Sequence, residues 1–257
     1  TVVMTSATMR TADPFGDNEP SFDYIKQRLH GYDVDDMAVG SPFDYKNSTL
    51  LYLATDIPEP NQPGYQRMLE EAVIDVAQAL NGRTMVLFTS YGQLSQTARA
   101  IEGPLADAGI VTLSQSSGGS RPLLLDEFKN TNSNTVLLGT RSFWEGVDVP
   151  GAALQALVIA KLPFDVPSDP IFAARSETFD NSFFQYSIPE AVLRFRQGFG
   201  RLIRSQADEG VVAILDKRVL TKRYGQLFID SLPECMVLRQ RTSRLGELTL
   251  RWLNRNK

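Results

Sequence analysis

Continuous apolar runs of strand length recur along this chain and set its predicted framework. Each run ends in polar turn residues, and few of them alternate between apolar and polar positions. A short continuous apolar run is typical of a strand that is buried on both faces of a sheet. The six predicted strands are 49–54, 84–89, 110–114, 135–139, 156–163 and 210–216.

Stretches with helical periodicity separate most of these runs. Residues 64–80, 93–109 and 120–130 are predicted helices, and further helices are expected from Ile188 onward and over 242–254. Alternating strands and helices predict a mostly parallel sheet with helices on both of its faces. The predicted fold class is therefore α/β.

The first forty residues differ from the rest of the chain. The segment from Met9 to Pro42 is polar, rich in Asp and Pro, and is interpreted as a connection with one short helix, "FDYIKQRL". Residues 1–40 are expected to be the trailing end of one domain, and 41–257 one complete α/β domain. The chain opens without an initiator Met, so we expect a piece of a longer protein.

The amino-acid composition limits the classes of protein to which this chain can belong. The 257 residues are 42% hydrophobic and 22% charged, as in a globular protein with a sizeable core. No run of eighteen apolar residues and no apolar leader is present, so no membrane association is expected and the cytoplasm is the default compartment. Cys235 and His30 are single, which excludes an internal disulfide and predicts neither an iron–sulfur cluster nor another metal site in this chain.

Charge is distributed unevenly along the chain. The net charge is -4, but residues 1–191 carry -12 and residues 192–257 carry +8. Two interpretations stay open: the basic third faces an anionic partner, or it is a solvated helical surface.

The segment after the fourth predicted strand has the features of an anion site. In "TVLLGTRSFWEGVDVPG" the strand ends at Gly139, and Ser142 begins the S-x-x-E spacing of a capping box. A helical turn that starts there would present backbone N–H groups to an anion, with Arg141 as a nearby cation. The alternative is a plain helix cap with Trp144 in the core.

A second strand end repeats this arrangement. After the strand that stops at Thr89, Ser90 and Tyr91 form a tight turn before a helix. Hydroxyl groups at such a turn can hold a sugar-phosphate backbone, and a tyrosine can stack on a base. The alternative is that Tyr91 only packs.

Two glycines interrupt a predicted amphipathic helix in "QGFGRLIRSQADEG" (197–210). On a helix, Gln197, Arg201 and Arg204 share one face, and the opposite face is apolar. Each interior glycine costs a helix about 1 kcal/mol, so Gly198 and Gly200 predict close approach of a ligand or a backbone to the Gln/Arg face. Two arginines one turn apart suit a transferring γ-phosphoryl group, although an exposed basic helix face is the alternative.

Five segments in order resemble motifs III to VI of superfamily 2 helicases, and in detail the DinG branch of the XPD-like DNA helicases. The resemblance implies a RecA-like three-layer sandwich and the second motor domain of an ATP-dependent helicase that moves 5′ to 3′ on single-stranded DNA, with a role in DNA repair. It also implies that 1–40 ends the first motor domain with motif III. The segments are "TSATM" (5–9), "VLFTSY" (86–91), "GTRSFWEGVDVPG" (139–151), "KLPFDVPSDP" (161–170) and "QGFGRLIRSQADEG" (197–210).

The resemblance also implies roles for single residues. Arg204 would be the arginine finger, braced by Arg201 and Gln197. The remaining roles are nucleotide contact for Glu145, Gly146 and Asp148, DNA-backbone contact for Ser90, Tyr91, Thr140 and Ser142, and coupling of the two sites for Thr5 and Ser6.

Two family elements are missing from this chain. It has no G-x-x-x-x-G-K-[ST] loop and no D-E-A-H-like acidic box, so ATP and Mg²⁺ are expected to bind mainly to an upstream domain of the same polypeptide. The chain alone is therefore expected to be inactive. Arg141 also stands where a small residue is expected. A non-catalytic nucleic-acid-binding module of RecA-like fold is the alternative function.

Overall fold

A seven-stranded, fully parallel sheet forms the centre of the protein. The computed structural model describes residues 2–6, 8–12, 20–130, 133–144, 149, 151 and 153–255. The sheet strands are β3 (Thr49–Ala54), β4 (Thr84–Leu87), β5 (Val111–Ser114), β6 (Thr135–Gly139), β7 (Ala156–Ile159), β8 (Gly210–Ile214) and β9 (Met236–Gln240). Their order is β5-β6-β4-β7-β8-β3-β9, and every neighbouring pair is parallel.

All six predicted strands are present, and the seventh was missed. The residues of β3, β4, β6, β7 and β8 are fully buried, as their continuous apolar runs predict. Strand β9 pairs with β3 alone at the edge of the sheet, and most of its residues are exposed or half-buried. An edge strand of this kind has no buried apolar run by which the sequence could reveal it.

Helices cover both faces of the sheet, which confirms the α/β three-layer architecture. Helices α3, α4 and α11 pack on one face through residues such as Leu69, Leu94 and Trp252. Helices α5, α6, α8 and α10 pack on the other. The helices are α1 (Asp23–Leu29), α2 (Tyr45–Ser48), α3 (Tyr65–Ala79), α4 (Tyr91–Asp107), α5 (Arg121–Lys129), α6 (Arg141–Trp144), α7 (Pro170–Ser176), α8 (Ile188–Phe199), α9 (Arg218–Thr221), α10 (Gly225–Asp230) and α11 (Leu245–Leu253).

The first forty residues contain the predicted short helix α1 and a small antiparallel pair, β1 (Thr11–Ala12) and β2 (Pro20–Ser21). This segment docks on α8. The hydroxyl of Tyr24 donates to Glu190 Oε1, and the guanidinium of Arg196 donates to the carbonyl oxygen of Arg10. The assignment of 1–40 to a preceding domain stays a prediction.

Helix α8 ends earlier than the sequence predicts. It stops at Phe199, and Gly200 is its C-cap with φ -65° and ψ 2°. The next residues form turns, in which the N–H of Arg201 donates to the carbonyl oxygen of Gly198 at 3.0 Å. Arg201 and Arg204 therefore do not share a helical face with Gln197. Within the described residues, none of the helices has the length and apolar character needed to cross a membrane.

Candidate motor-domain site

The residues predicted to contact DNA lie at the carboxyl edge of the parallel sheet. Ser90 and Tyr91 follow β4, and Thr140 and Ser142 follow the neighbouring strand β6. Ser90 is the N-cap of α4, where its hydroxyl accepts from the N–H of Gln93. Ser142 is the second residue of α6 and not its cap, because the turn already begins at Arg141.

Gln115 brings three of these residues together. Its Oε1 accepts from the N–H of Thr140 at 3.0 Å and from Thr140 Oγ1 at 2.7 Å. Its Nε2 donates to Ser142 Oγ at 3.1 Å, and its own carbonyl oxygen accepts from the hydroxyl of Tyr91 at 2.9 Å. The Gln115 side chain thus fixes the two hydroxyl groups after β6, and its main-chain carbonyl oxygen fixes the ring after β4.

Sequence reasoning missed Gln115. It directly follows β5 in the polar stretch "SQSSGG", and a polar residue at the carboxyl end of a predicted strand is the signal that could have found it. Beside it lies a polar cleft of about 420 Å³ whose wall includes Tyr91, Arg99 and Ser116. The ring of Tyr91 is 53% exposed there, so it can stack against a planar group.

Trp144 joins the segments after β4 and β6 to the end of α8. Its indole N–H donates to the carbonyl oxygen of Phe88 at 3.1 Å, and its side chain is buried. A Cβ at Gly198 would lie 2.8 Å from the indole ring. Gly198 is therefore required by a core ring, and the predicted approach of a ligand to the Gln/Arg face is wrong as its explanation. The core interpretation of Trp144 is confirmed.

Arg201, which follows α8, is bonded to the main chain of Trp144. Its Nε and Nη2 donate to the carbonyl oxygen of Trp144 at 3.2 and 3.0 Å. Trp144 is the last described residue of α6, so the guanidinium ties the segment after α8 to this helical turn. Arg201 is half-buried and held by its own domain.

Arg204 lies on a loop that a carboxylate organises. Asp208 Oδ2 accepts from the N–H groups of Arg204 and Ser205, each at 2.8 Å, and Asp208 Oδ1 accepts from Ser205 Oγ at 2.8 Å. A Cβ at Gly151 would lie 2.3 Å from Asp208 Oδ1, so the carboxylate approaches the segment before β7 as closely as glycine permits. The loop leads directly into β8, which places Arg204 at the amino end of that strand.

Tyr45 interacts electrostatically with Arg204. Burial raises the pKa of Tyr45, while the hydrogen bond with the Ser41 side chain and the charge of Arg204 act in the opposite direction. The ring of Tyr45 lies 5.7 Å from that of Phe199 at the end of α8. Arg204 itself is exposed.

Arg141, which stands where the resemblance implies a small residue, is bonded to the segment after β7. Its Nη1 donates to Asp165 Oδ1 at 3.2 Å, and Arg194 Nη2 donates to Asp165 Oδ2 at 3.0 Å. The side chains of Asp165 and Arg194 are 10% and 11% exposed. Two cations therefore share one nearly buried carboxylate beside α6.

The remaining predicted residues are more dispersed. Gln197 is half-buried in the last turn of α8. Thr5 and Ser6 are exposed, and Ser6 Oγ accepts from the N–H of Thr8 at 3.2 Å, which is a local contact. The predicted nucleotide contacts Glu145, Gly146 and Asp148 lie outside the described residues.

Comparison with known proteins gives the family. Residues 64–235 match the helicase C-terminal domain family, and the chain belongs to that family. It is 37% identical over 254 residues to DinG of Bacillus subtilis (strain 168), named a 3′-5′ exonuclease, covering 95% of this chain and 26% of that protein. It is 34% identical over 235 residues to the ATP-dependent DNA helicase YoaA of Escherichia coli (strain K12), covering 90% of this chain and 35% of the relative.

Solved structures confirm the RecA-like fold. A structure described as an XPD helicase superposes with a TM-score of 0.53 at 17% identity over 83% of this chain and 37% of that chain. Dbp5 of S. cerevisiae bound to RNA and ADP BeF3 superposes with a TM-score of 0.52 at 14% identity over 91% of this chain and 52% of that one. The chain is thus a helicase C-terminal domain of DinG type that spans about a quarter to a third of its curated relatives.

Proposed function

We propose that this chain is the second motor domain of an ATP-dependent DNA helicase and that Arg204 acts in it as the arginine finger. The observation that carries the proposal is the position of Arg204. It is exposed on a loop whose backbone is fixed by the Asp208 carboxylate, three residues after Arg201, which is half-buried and bonded to Trp144. A guanidinium on an ordered loop can meet the charge that develops on a γ-phosphoryl group without reorganising.

Arg201 and Gln197 are proposed as supports for this finger. Because Arg201 is bound to the carbonyl oxygen of Trp144, it fixes the chain between α8 and the finger. We assign it a positioning role and keep Gln197, at the end of the same helix, as a second brace. ATP is expected to bind in the cleft that an upstream motor domain of the same polypeptide closes against this surface.

The carboxyl edge of the sheet is proposed to hold single-stranded DNA. Gln115 orients the hydroxyl groups of Thr140 and Ser142 on one side, and Ser90 and Tyr91 offer a hydroxyl and an exposed ring on the other. Hydroxyl groups and backbone N–H groups are usual partners of the sugar-phosphate backbone, and rings stack on bases. Movement from 5′ to 3′ and a cytoplasmic location complete the proposal.

Mg²⁺ is expected with the ATP, bound by the upstream domain. The described residues of this chain do not gather three His, Cys, Asp or Glu side chains into a metal-binding group. We therefore derive no step of the reaction through a metal held by this chain.

The test is ATP turnover by the intact polypeptide in the presence of single-stranded DNA. Arg204→Ala should lower turnover by roughly 10³-fold or more, the range of arginine fingers, and leave DNA affinity largely intact. Arg251→Ala, which removes an exposed arginine of α11 on the opposite face of the sheet, is the matched control. DNA binding without turnover in the parent protein would favour the non-catalytic module instead.

A further inference from the structure

A second cleft opens at the carboxyl edge, on the face of the sheet that carries α3 and α4. Its volume is about 440 Å³, and its wall includes Tyr65 and Gln66 from α3, Gln93 and Gln96 from α4, and Lys161 after β7. With Asn61 and Gln62, which also belong to this wall, five amide side chains and one ammonium group line a common space. Gln93 contacts the site described above through its N–H, which donates to Ser90 Oγ.

A chain of hydrogen bonds fixes the orientation of the amides. Gln66 Nε2 donates to Glu70 Oε1 at 2.7 Å and to Thr97 Oγ1 at 2.8 Å. A carboxylate accepts hydrogen bonds, so the Nε2 end of the Gln66 amide is the one that faces Glu70. Gln66 Oε1 then accepts from Gln93 Nε2 at 3.0 Å. The amide orientation of Gln93 is thereby determined.

This orientation leaves Gln93 Oε1 as a buried acceptor without a donor among the described residues. Gln93 is 9% exposed and lines the cleft. A buried polar atom without a hydrogen bond is destabilising, so a ligand that donates one would be stabilised there. A phosphate group, which accepts, does not meet this requirement.

Lys161 offers a hydrogen-bond donor to the cleft, whereas Gln93 Oε1 offers an acceptor. Its ammonium group lies 5.7 Å from the ring centroid of Tyr65, whose hydroxyl is bound to the carbonyl oxygen of Ala160. Burial, and secondarily the charge of Arg218, lowers the pKa of Lys161, so an acceptor from a ligand would stabilise its charged form. The cleft therefore suits a ligand that carries a hydrogen-bond donor and a hydrogen-bond acceptor on the same edge.

We propose that this cleft binds an unpaired nucleobase of the DNA strand, with Gln93 Oε1 accepting from a base N–H and Lys161 donating to a base acceptor. Every base carries both groups on its pairing edge. The inference rests on the proposed DNA-binding function. Ser90, which caps α4, lies one helical turn before Gln93, so a strand on the carboxyl edge passes the mouth of the cleft.

The test compares two strands in binding to the intact polypeptide, oligo-dT and an abasic strand of the same length and charge. The parent protein should prefer oligo-dT. Gln93→Met, which keeps the length of the side chain and removes the acceptor, should reduce this preference about 3- to 10-fold, the value of one hydrogen bond. Gln226→Met on α10, across the sheet, is the matched control. Lys161→Met provides an independent variant if Gln93→Met does not fold.

The outcomes separate the two proposals. An unchanged preference in both cleft variants, with DNA-stimulated turnover intact, would overturn the base-binding cleft alone. A higher KM for ATP in Gln93→Met with an unchanged strand preference would also overturn it, because the occupant would then be the nucleotide. If the parent protein bound neither oligo-dT nor the abasic strand, the proposed DNA-binding function itself would be contradicted.

Discussion

The guanidinium of Arg201 holds the carbonyl oxygen of Trp144 by two hydrogen bonds, while the indole N–H of Trp144 holds the carbonyl oxygen of Phe88. Phe88 directly follows β4 at the carboxyl edge, and Arg201 follows α8 near the amino end of β8. Two residues therefore connect the proposed nucleotide-facing loop to the proposed DNA-facing edge.

Gly198→Ala should destabilise the protein by about 1–3 kcal/mol, because the new methyl group would press on the indole ring of Trp144. Urea denaturation measures this change. Gly92→Ala in α4, where nothing lies within 4 Å of the added atom, is the matched control and should be neutral or stabilising by up to about 1 kcal/mol. Equal effects of the two substitutions would contradict the packing account.

Gln115→Leu should raise the DNA concentration needed for half-maximal ATP turnover about 10-fold, with a much smaller effect on turnover at saturating DNA. Its amide makes three hydrogen bonds to Thr140 and Ser142, and leucine makes none of them. Titration of turnover with single-stranded DNA measures the change, and Gln226→Leu serves as control. A loss confined to maximal turnover would instead assign Gln115 to the nucleotide side.

Asp208→Ala should lower ATP turnover about 10- to 100-fold, because the finger loop loses the acceptor of two backbone N–H groups and misplaces Arg204. Asp208→Asn retains an oxygen acceptor and should recover much of the activity. Turnover in the two variants, compared at saturating ATP and DNA, measures this. Full activity in Asp208→Ala would show that the loop does not need the carboxylate.

The docking of α1 should weaken at high pH. Burial, followed by the charge of Glu190, raises the pKa of Tyr24 well above its usual range. In the unfolded chain the phenol loses its proton near pH 10, so the stabilisation is complete below that pH and is lost as the pH rises above it. The difference in unfolding free energy between the parent and Tyr24→Phe should therefore be constant from about pH 7 to about pH 9 and shrink as the pH rises above about 10. A difference that stays constant over the whole range would contradict this account.

The parts of the fold that depend on burial were predictable, and those that depend on distant partners were not. Buried strands such as β7 are visible in the sequence as apolar runs, whereas the edge strand β9 has no such run. The end of α8 was predicted too late in the sequence. The loop that follows is shaped by hydrogen bonds to Asp208, and helical periodicity carries no information about such bonds. Gln115 was missed because its partners are 25 and 27 residues away in the chain.

Among the site residues, the fold also accounts for the proximity of some, whereas tertiary contacts decide the placement of others. Ser90, Tyr91, Thr140 and Ser142 follow predicted strands, and parallel pairing places strand ends at one edge, so their proximity follows from the fold. The separation of Arg201, held by its own domain, from the exposed Arg204 required the tertiary contacts of Trp144 and Asp208.

The most direct test of the central claim is the single-turnover rate of ATP hydrolysis by Arg204→Lys in the intact polypeptide on single-stranded DNA. Lysine keeps the charge but not the forked guanidinium, so the rate should still fall at least about 100-fold, whereas Arg251→Lys should keep the parent rate. A rate for Arg204→Lys and Arg204→Ala close to that of the parent would contradict the assignment of Arg204 as the arginine finger.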